Sequence, residues 1–325
     1  MANRKKTLFI IFFIFISILI FFKIEKRENK FISYPTKNVK VIVAYKEGGG
    51  TDLGARLLVK EAEKYFPKHF EIINILGKDG NIGYQELLSA KGDGYTIGFI
   101  NFPSFLSLSL RQKTKFKKED MEIILNHVFD PAVLVVNSNS KWKNFKDFLE
   151  EVKSKPDILT ISNNGVGLSN HLGAAYFAYV AGIKVTHVPF NGSADMITAL
   201  KKGYVDATVA KISEVSNLVK NGEFRILTSF TEKRLENFKD IPTAKEYGFD
   251  VVFGSSRALV APKGTPKDIL NILHQTFKTA LYSKENIEKS KELNLPIKYV
   301  SPEDMKKYIL KEEEYIKNII PKLEI

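Results

Sequence analysis

The chain contains no cysteine, one tryptophan and only five histidines among its 325 residues. The absence of cysteine excludes disulfide bonds, thiol catalysis, cysteine-ligated metals and lipid attachment through an N-terminal cysteine. His69 and His127 have no acidic or histidine partner at the spacing of a metal site. We therefore predict neither a metal nor any other cofactor.

The sequence also lacks the usual patterns of catalysis. We find no paired carboxylates and no nucleophile–base set, and Ser162 and Ser169 lack the context of a hydrolase nucleophile. The turn Gly48–Gly50 has neither the lysine and hydroxyl ending of a phosphate loop nor the spacing of a dinucleotide fingerprint. The net charge is +12, but the densest internal basic run, Lys115–Lys118, carries no nucleic-acid motif. These absences favour a binding protein that is not an enzyme and has no nucleic-acid partner.

The N-terminus has the pattern of an export signal. Arg4, Lys5 and Lys6 precede an apolar run, Leu8–Phe22, which only Ser17 interrupts. The run is rich in Ile and Phe, and no small-residue cleavage site follows it, so a cleaved signal and an uncleaved membrane anchor both remain open. We predict that residues 1–33 form this signal or anchor and a tether. The rest is expected in the periplasm or on the outer face of the cytoplasmic membrane.

From Val39 onward, short apolar runs alternate with amphipathic segments. Val39–Tyr45 and Tyr95–Ile100 are typical of buried strands, and Ile82–Ala90 is typical of a helix. Such alternation predicts an α/β fold with mainly parallel sheets.

Three predicted strands end in glycine-containing loops that run into helices. Gly48–Gly50 follows the first strand, Asn163–Ser169 contains Gly165 and Gly167, and Phe190–Ser193 contains Gly192. Glycine lets a ligand approach the backbone, and the first N–H groups of a helix have no partner within it, so such junctions bind anions. Each could also be an ordinary tight turn. Because ligands of open α/β sheets lie beyond the carboxyl ends of strands, three such loops predict one cleft lined with N–H groups.

Read in order, a set of short motifs resembles the tripartite tricarboxylate transporter receptors, the Bug or TctC family of periplasmic solute-binding proteins. The matching stretches are Tyr34-Pro35, Gly48-Gly49-Gly50-Thr51-Asp52 with Ala55-Arg56, Gly80-Asn81-Ile82-Gly83, Asp93-Gly94-Tyr95-Thr96, Asn101 with Ser104, Gly165-Val166-Gly167-Leu168-Ser169 with His171-Leu172, His187-Val188-Pro189-Phe190, Gly203-Tyr204-Val205-Asp206, Gly222 with Arg225, Arg234, Ile241-Pro242-Thr243 with Glu246, and Ala261-Pro262-Lys263-Gly264-Thr265-Pro266. Lys46-Glu47 stands where the family usually has prolines.

The resemblance implies a two-lobed, type II periplasmic-binding-protein-like fold, with two mainly parallel sheets joined by a hinge. The lobes would be residues 34–131 plus 255–325, and residues 132–254. It implies a receptor that closes on a small carboxylate and delivers it to membrane transporter subunits. A ligand sensor of the same fold that serves a signalling partner, and an enzyme on a two-lobed scaffold, are the alternatives.

The glycine loops and the resemblance together predict the binding residues. They are Gly49, Gly50, Thr51, Asp52, Asn101, Ser104, Asn164, Gly165, Gly167, Ser169, His171, Asn191, Gly192, Ser193, Lys211 and Arg257. For four of them another role is also open. Asp52 could stabilise its own helix N-terminus, His171 could be a structural hydrogen-bonding residue, and Lys211 and Arg257 could be solvated.

Overall fold

The computed structural model describes residues 33–111 and 114–323. The predicted export signal or anchor falls on residues 1–32 and lies outside the described residues. Within the described ranges, no helix is both long and apolar enough to cross a lipid bilayer. The chain from Pro35 onward groups into one compact unit.

Strands and helices alternate through most of the described chain. The strands are β1 (Val39–Val43), β2 (Phe70–Asn74), β3 (Thr96–Phe102), β4 (Met121–Asn137), β5 (Thr160–Asn163), β6 (Thr186–Pro189), β7 (Ala207–Lys211), β8 (Phe224–Ser229), β9 (Gly254–Pro262) and β10 (Ile297–Val300). The α-helices are α1 (Gly50–Ala62), α2 (Asn81–Ser89), α3 (Ser104–Arg111), α4 (Phe145–Ser154), α5 (Ser169–Ala181), α6 (Ser193–Lys201), α7 (Ile212–Lys220), α8 (Lys267–Leu281), α9 (Lys284–Glu292) and α10 (Pro302–Ile319).

The strands form one continuous sheet with two differently paired halves. In the first half, β2, β1 and β3 are parallel neighbours, and β9 then runs antiparallel between β3 and β4. In the second half, β6, β5 and β7 are parallel neighbours, and β7 and β8 both run antiparallel to β4. Each half therefore combines parallel and antiparallel pairs, which is a more mixed arrangement than the sequence predicts.

Strand β4 belongs to both halves. Its residues up to Pro131 pair with β9, and its residues from Ala132 onward pair with β7. The sequence predicts only the second part, Ala132–Val136, because Pro131 resembles a strand boundary. In the structure Pro131 lies inside the strand, opposite Gly254, at the point where the pairing changes from one half of the sheet to the other.

The two halves have separate apolar cores. One contains Ile42, Phe102 and Phe105, and another contains Phe145, Phe177 and other side chains of the second half. The end of α10 packs into the second core through Ile316. Aliphatic and aromatic side chains make these cores, since burial of apolar surface is the main stabilising term in folding. The lobe boundaries given above stay a prediction.

Candidate functional site

The first glycine loop joins β1 to the N-terminus of α1. Asp52 is fully buried there and its carboxylate accepts hydrogen bonds from Gly48 N at 2.9 Å, Arg56 Nε at 2.8 Å and Asn74 Nδ2 at 2.9 Å. These contacts hold the turn in place. The first N–H groups of α1, beginning at Gly50, have no partner within the helix.

The second loop joins β5 to the N-terminus of α5. Gly165 and Gly167 adopt positive φ angles of 133° and 72°, which glycine accepts at little cost. Gly167 N donates to His171 Nδ1 at 2.9 Å. Burial above all, then repulsion by His187 and Arg111, lowers the pKa of His171 to about 3. His171 is therefore a neutral acceptor that orders the loop.

The third loop joins β6 to α6 and contacts the second loop. Gly192, with φ at 99°, donates its N–H to Asn164 O at 3.2 Å and Phe190 O at 3.0 Å. Asn164 in turn accepts a hydrogen bond from Asn170 N at 3.2 Å through its side chain. The backbone therefore fixes the two loops against each other, and the N-termini of α5 and α6 open on the same side.

A cleft lies where the three loops meet, with about 420 Å³ of space not filled by atoms, part of it open to solvent. Its lining residues are Tyr45, Lys46, Gly49, Gly50, Thr51, Asn101, Asn164, Ser169, Gly192, Ser193, Ala194 and Glu214. The structure thus brings together one residue or more from every predicted loop. The predicted residues outside this lining are Asp52, Ser104, Gly165, Gly167, His171, Asn191, Lys211 and Arg257.

Two predicted cations lie buried beneath the cleft instead of projecting into solvent. Arg257 is 1% exposed, and its Nη2 lies 2.6 Å from Oδ2 of Asp130, which is fully buried. Ser213 donates both its N–H and its hydroxyl to the same carboxylate. Burial raises the pKa of Asp130, and Arg257 and Ser213 oppose that rise. A Cβ added at Gly50 would lie 2.5 Å from Arg257 Nη2, so the guanidinium supports the first glycine loop directly.

Lys211 is the second of these cations. It is 1% exposed, and its Nζ donates to Asn170 Oδ1 at 2.6 Å. Burial lowers the pKa of Lys211 to about 8, against the opposing effect of Glu214 and Asp130. At neutral pH Lys211 therefore adds positive charge behind the start of α5.

Glu214 is the acidic residue of the cleft that the sequence analysis missed. Its Oε1 accepts from Ser193 Oγ at 2.6 Å, and its Oε2 accepts from Lys211 N at 2.8 Å and Asn170 Nδ2 at 3.1 Å. It stands in the first turn of α7, three residues after the end of β7. That place at the carboxyl end of a strand was the available signal, since ligands of α/β sheets bind at this edge.

Several contacts cross from the β1–β3 half to the β5–β7 half beside the cleft. Ser169 N donates to Ser104 Oγ at 2.9 Å, and Arg111 donates to the carbonyl of Val166 at 2.9 Å. Lys46 forms an ion pair of 3.0 Å with Asp195 of α6. These contacts hold the three loops together around the cleft.

Comparison with known proteins identifies the family. The family model described as "Tripartite tricarboxylate transporter family receptor" (TctC) matches residues 55–325. The chain belongs to this family. A UPF0065 protein from the gbd 5' region of Cupriavidus necator is 29% identical over 293 residues, which are 89% of this chain and 88% of the relative. Protein BugT of Bordetella pertussis is 28% identical and covers 79% of this chain and 80% of its own length.

The fold is shared with a solved family structure. A protein solved as "R. palustris Rpa4515 with adipate" is 26% identical, with a TM-score of 0.83 over 88% of this chain and 97% of that one. The predicted family and the predicted α/β, two-lobed binding-protein fold are confirmed. The prediction of a protein that is not an enzyme is also confirmed, because the matching family consists of solute-binding receptors.

Proposed function

We propose that this receptor binds a small carboxylate in the cleft and delivers it to a tripartite tricarboxylate-type transporter. One observation carries the proposal: the N-termini of α1, α5 and α6 open on one cleft, with Gly50, Ser169 and Ser193 in its lining. The helix dipole favours an anion at each of these ends, and the first N–H groups of α1 and α6 have no partner within their helices. At α5, Ser169 N and Asn170 N already donate to Ser104 Oγ and Asn164 Oδ1, so this end would contribute mainly through its dipole. The adipate in the R. palustris relative supports the same ligand class.

The residues that we propose as ligand contacts are the lining members of the three loops. The N–H groups of Gly50 and Thr51 would bind one carboxylate, and those of Ser193 and Ala194 would bind a second polar group. Arg257 and Lys211 would contribute through the positive charge that they place beneath the loops. A hydrogen bond from a neutral N–H group to an ionised carboxylate is charge-assisted, and such bonds are about twice as strong as those between two neutral groups. Backbone N–H groups can therefore bind a carboxylate well.

The proposed mode of action includes hinge closure. The two lobes would be residues 34–131 plus 255–325, and residues 132–254. Strand β4 changes its pairing partner at Pro131, which lies opposite Gly254 of β9. This change of partner supports a hinge where the chain passes from one predicted lobe to the other. Ligand binding should reduce the radius of gyration in solution scattering, and identical curves with and without saturating ligand would contradict closure.

Family receptors act in the periplasm, and we propose that this one does so as well, after export by the N-terminal segment. Whether that segment is cleaved is tested by the N-terminal sequence of the protein recovered from membranes. A ligand sensor for a signalling partner is the alternative. Uptake of labelled ligand by vesicles containing the transporter's membrane subunits, only when the receptor is added, would favour transport.

Calorimetry with the full chain tests ligand binding directly. Dicarboxylates, amino acids and aromatic carboxylates should include binders, whereas the same compounds with each carboxylate replaced by a carboxamide should not bind. The carboxamides are the matched controls, because they keep the size and shape of each compound and remove the charge. Equal binding of a carboxylate and its carboxamide, or no binding of any carboxylate, would overturn the proposal.

A further inference from the structure

We propose that Leu168 and Arg111 form a latch between the two halves of the protein, and that this latch sets the rate at which a bound ligand leaves. The inference rests on the closure proposed above and names the contacts that opening has to break. Neither side chain belongs to the cleft lining. The latch would therefore act through the position of the second glycine loop and not by touching the ligand.

Leu168 belongs to the second glycine loop, which follows β5, yet its side chain packs into the apolar core of the first half. It is 2% exposed and lies in the same core as Phe102 and Phe105. Its backbone N–H donates to Gly165 O at 3.1 Å, which fixes the direction of the side chain. A movement that separates this loop from the first half would expose the leucine to water, and exposure of a buried leucine is unfavourable.

Arg111 holds the same loop from the end of α3, in the first half. Its Nη1 donates to Val166 O at 2.9 Å. Its guanidinium also fills the place of the missing side chain of Gly167, because a Cβ built there would overlap with Arg111 Nη1. At the other end of α3, Ser104 Oγ accepts a hydrogen bond from Ser169 N at 2.9 Å. Both ends of helix α3 therefore contact the loop.

The latch explains why this loop contains two glycines. A Cβ at Gly165 would lie 2.6 Å from Oδ1 of Asp79, which belongs to the turn before α2 in the first half. Burial raises the pKa of Asp79, and the charge of Arg111 opposes that rise, so the two side chains attract each other. Neither Gly165 nor Gly167 lines the cleft. Close approach of the two halves therefore accounts for both glycines, whereas close approach of a ligand does not.

Such a latch should change the rate of ligand release more than the rate of ligand binding. A ligand enters an open form, in which the contacts of Leu168 and Arg111 are absent. It leaves only after these contacts have been broken. Interactions that exist only in the closed form raise the population of that form, so removing them should speed release and weaken affinity together.

Leu168→Ala tests the apolar part of the latch, with Leu168→Met as the conservative variant. The probe is whichever of succinate, adipate, glutamate and benzoate binds the full chain most tightly, and stopped-flow measurements give both of its rates. Leu168→Ala should release the probe at least tenfold faster and bind it at a rate within about threefold of the wild type. Leu168→Met keeps the volume and should release it within about threefold of the wild-type rate. An unchanged release rate in Leu168→Ala, with a native circular dichroism spectrum, would overturn the role of Leu168.

Gly167→Ala tests the contact with Arg111, and Gly203→Ala is its matched control. Both glycines have a φ of 72°, so alanine is equally strained at the two positions, but a Cβ at Gly203 meets nothing within 4 Å. Only Gly167→Ala should speed release of the probe tenfold or more. Because the clash needs the guanidinium, adding Gly167→Ala to Arg111→Ala should speed release by less than about threefold. Equal release rates in Gly167→Ala and Gly203→Ala would refute the role of Arg111.

A measurement without ligand separates this inference from the proposed function. The chain has no cysteine, so spin labels attach only to introduced cysteines. Glu86→Cys on α2 and Thr198→Cys on α6 provide one exposed position on each half. Pulsed electron paramagnetic resonance should show a second, open distance between the labels in Leu168→Ala and in Gly167→Ala, and the wild-type distribution in Gly203→Ala. Identical distributions in all variants would overturn the latch. Failure of every carboxylate to bind the wild type, with these shifts present, would overturn the proposed function alone.

Discussion

Replacing Arg257 by methionine tests the charges beneath the cleft. Arg257 is 1% exposed and Asp130 is fully buried, and their closest atoms are 2.6 Å apart. Arg257→Met leaves the Asp130 carboxylate with only the two donors of Ser213. Because an unpaired buried charge remains, we expect the free energy of unfolding to fall by about 3–5 kcal/mol at pH 8.

The loss should depend on pH with a defined sign. Burial already raises the folded-state pKa of Asp130 above its ordinary value of 3.8, and Arg257 opposes that rise. Without Arg257 the folded-state pKa moves further up. A carboxyl group whose pKa is higher in the folded than in the unfolded protein binds more protons when folded. Its ionisation therefore lowers the free energy of unfolding as the pH rises through the folded-state pKa. Below the ordinary pKa the group is protonated in both states and has no such effect. The deficit of Arg257→Met should therefore shrink as the pH is lowered from 8 toward 5.

Urea denaturation of the wild type and variant at pH 5 and pH 8 measures this difference. Adding Asp130→Asn to Arg257→Met removes the orphaned charge, so the double variant should be more stable at pH 8 than Arg257→Met and should lose its pH dependence. These two residues are in direct contact, which is where non-additive effects are expected. A deficit below about 1 kcal/mol, or one equal at both pH values, would refute the account of a buried ion pair.

Two further predictions concern the first glycine loop. Gly50→Ala places a Cβ 2.5 Å from Arg257 Nη2, so the free energy of unfolding should fall by about 1–3 kcal/mol and ligand affinity should fall with it. In the control Gly49→Ala, the new Cβ meets only Lys46 O at 3.3 Å. This control should therefore lose less stability in denaturation and less affinity in calorimetry. Lys46→Ala removes the exposed ion pair with Asp195, so stability should change by less than about 1 kcal/mol. Ligand should nevertheless leave Lys46→Ala faster in stopped-flow measurements, and an unchanged rate would contradict a role of this pair in holding the cleft closed.

Local patterns in the sequence were enough to predict most of the elements that border the cleft. The apolar run of β1, the glycines after it and the start of α1 are contiguous, so their signals do not depend on distant residues. Strand β7, Ala207–Lys211, is likewise a contiguous run with a local apolar signal. Two elements were not predicted from the sequence. Helix α3, Ser104–Arg111, is a short mixture of serines with buried apolar residues, and the first part of β4 was hidden by Pro131.

The charges of the site were decided only by tertiary structure. The sequence left undecided whether the side chains of Lys211 and Arg257 face solvent or the cleft. Both are buried in the structure, because Asn170 and Asp130 from distant segments form hydrogen bonds with them. Asp130 and Arg257 are 127 positions apart, and nothing in the local pattern links them. In the sequence Glu214 is an ordinary polar residue of a helix. It lines the cleft only because α5, α6 and α7 pack together at one edge of the sheet. Local periodicity therefore determined where the loops are, and long-range packing determined which charges meet in them.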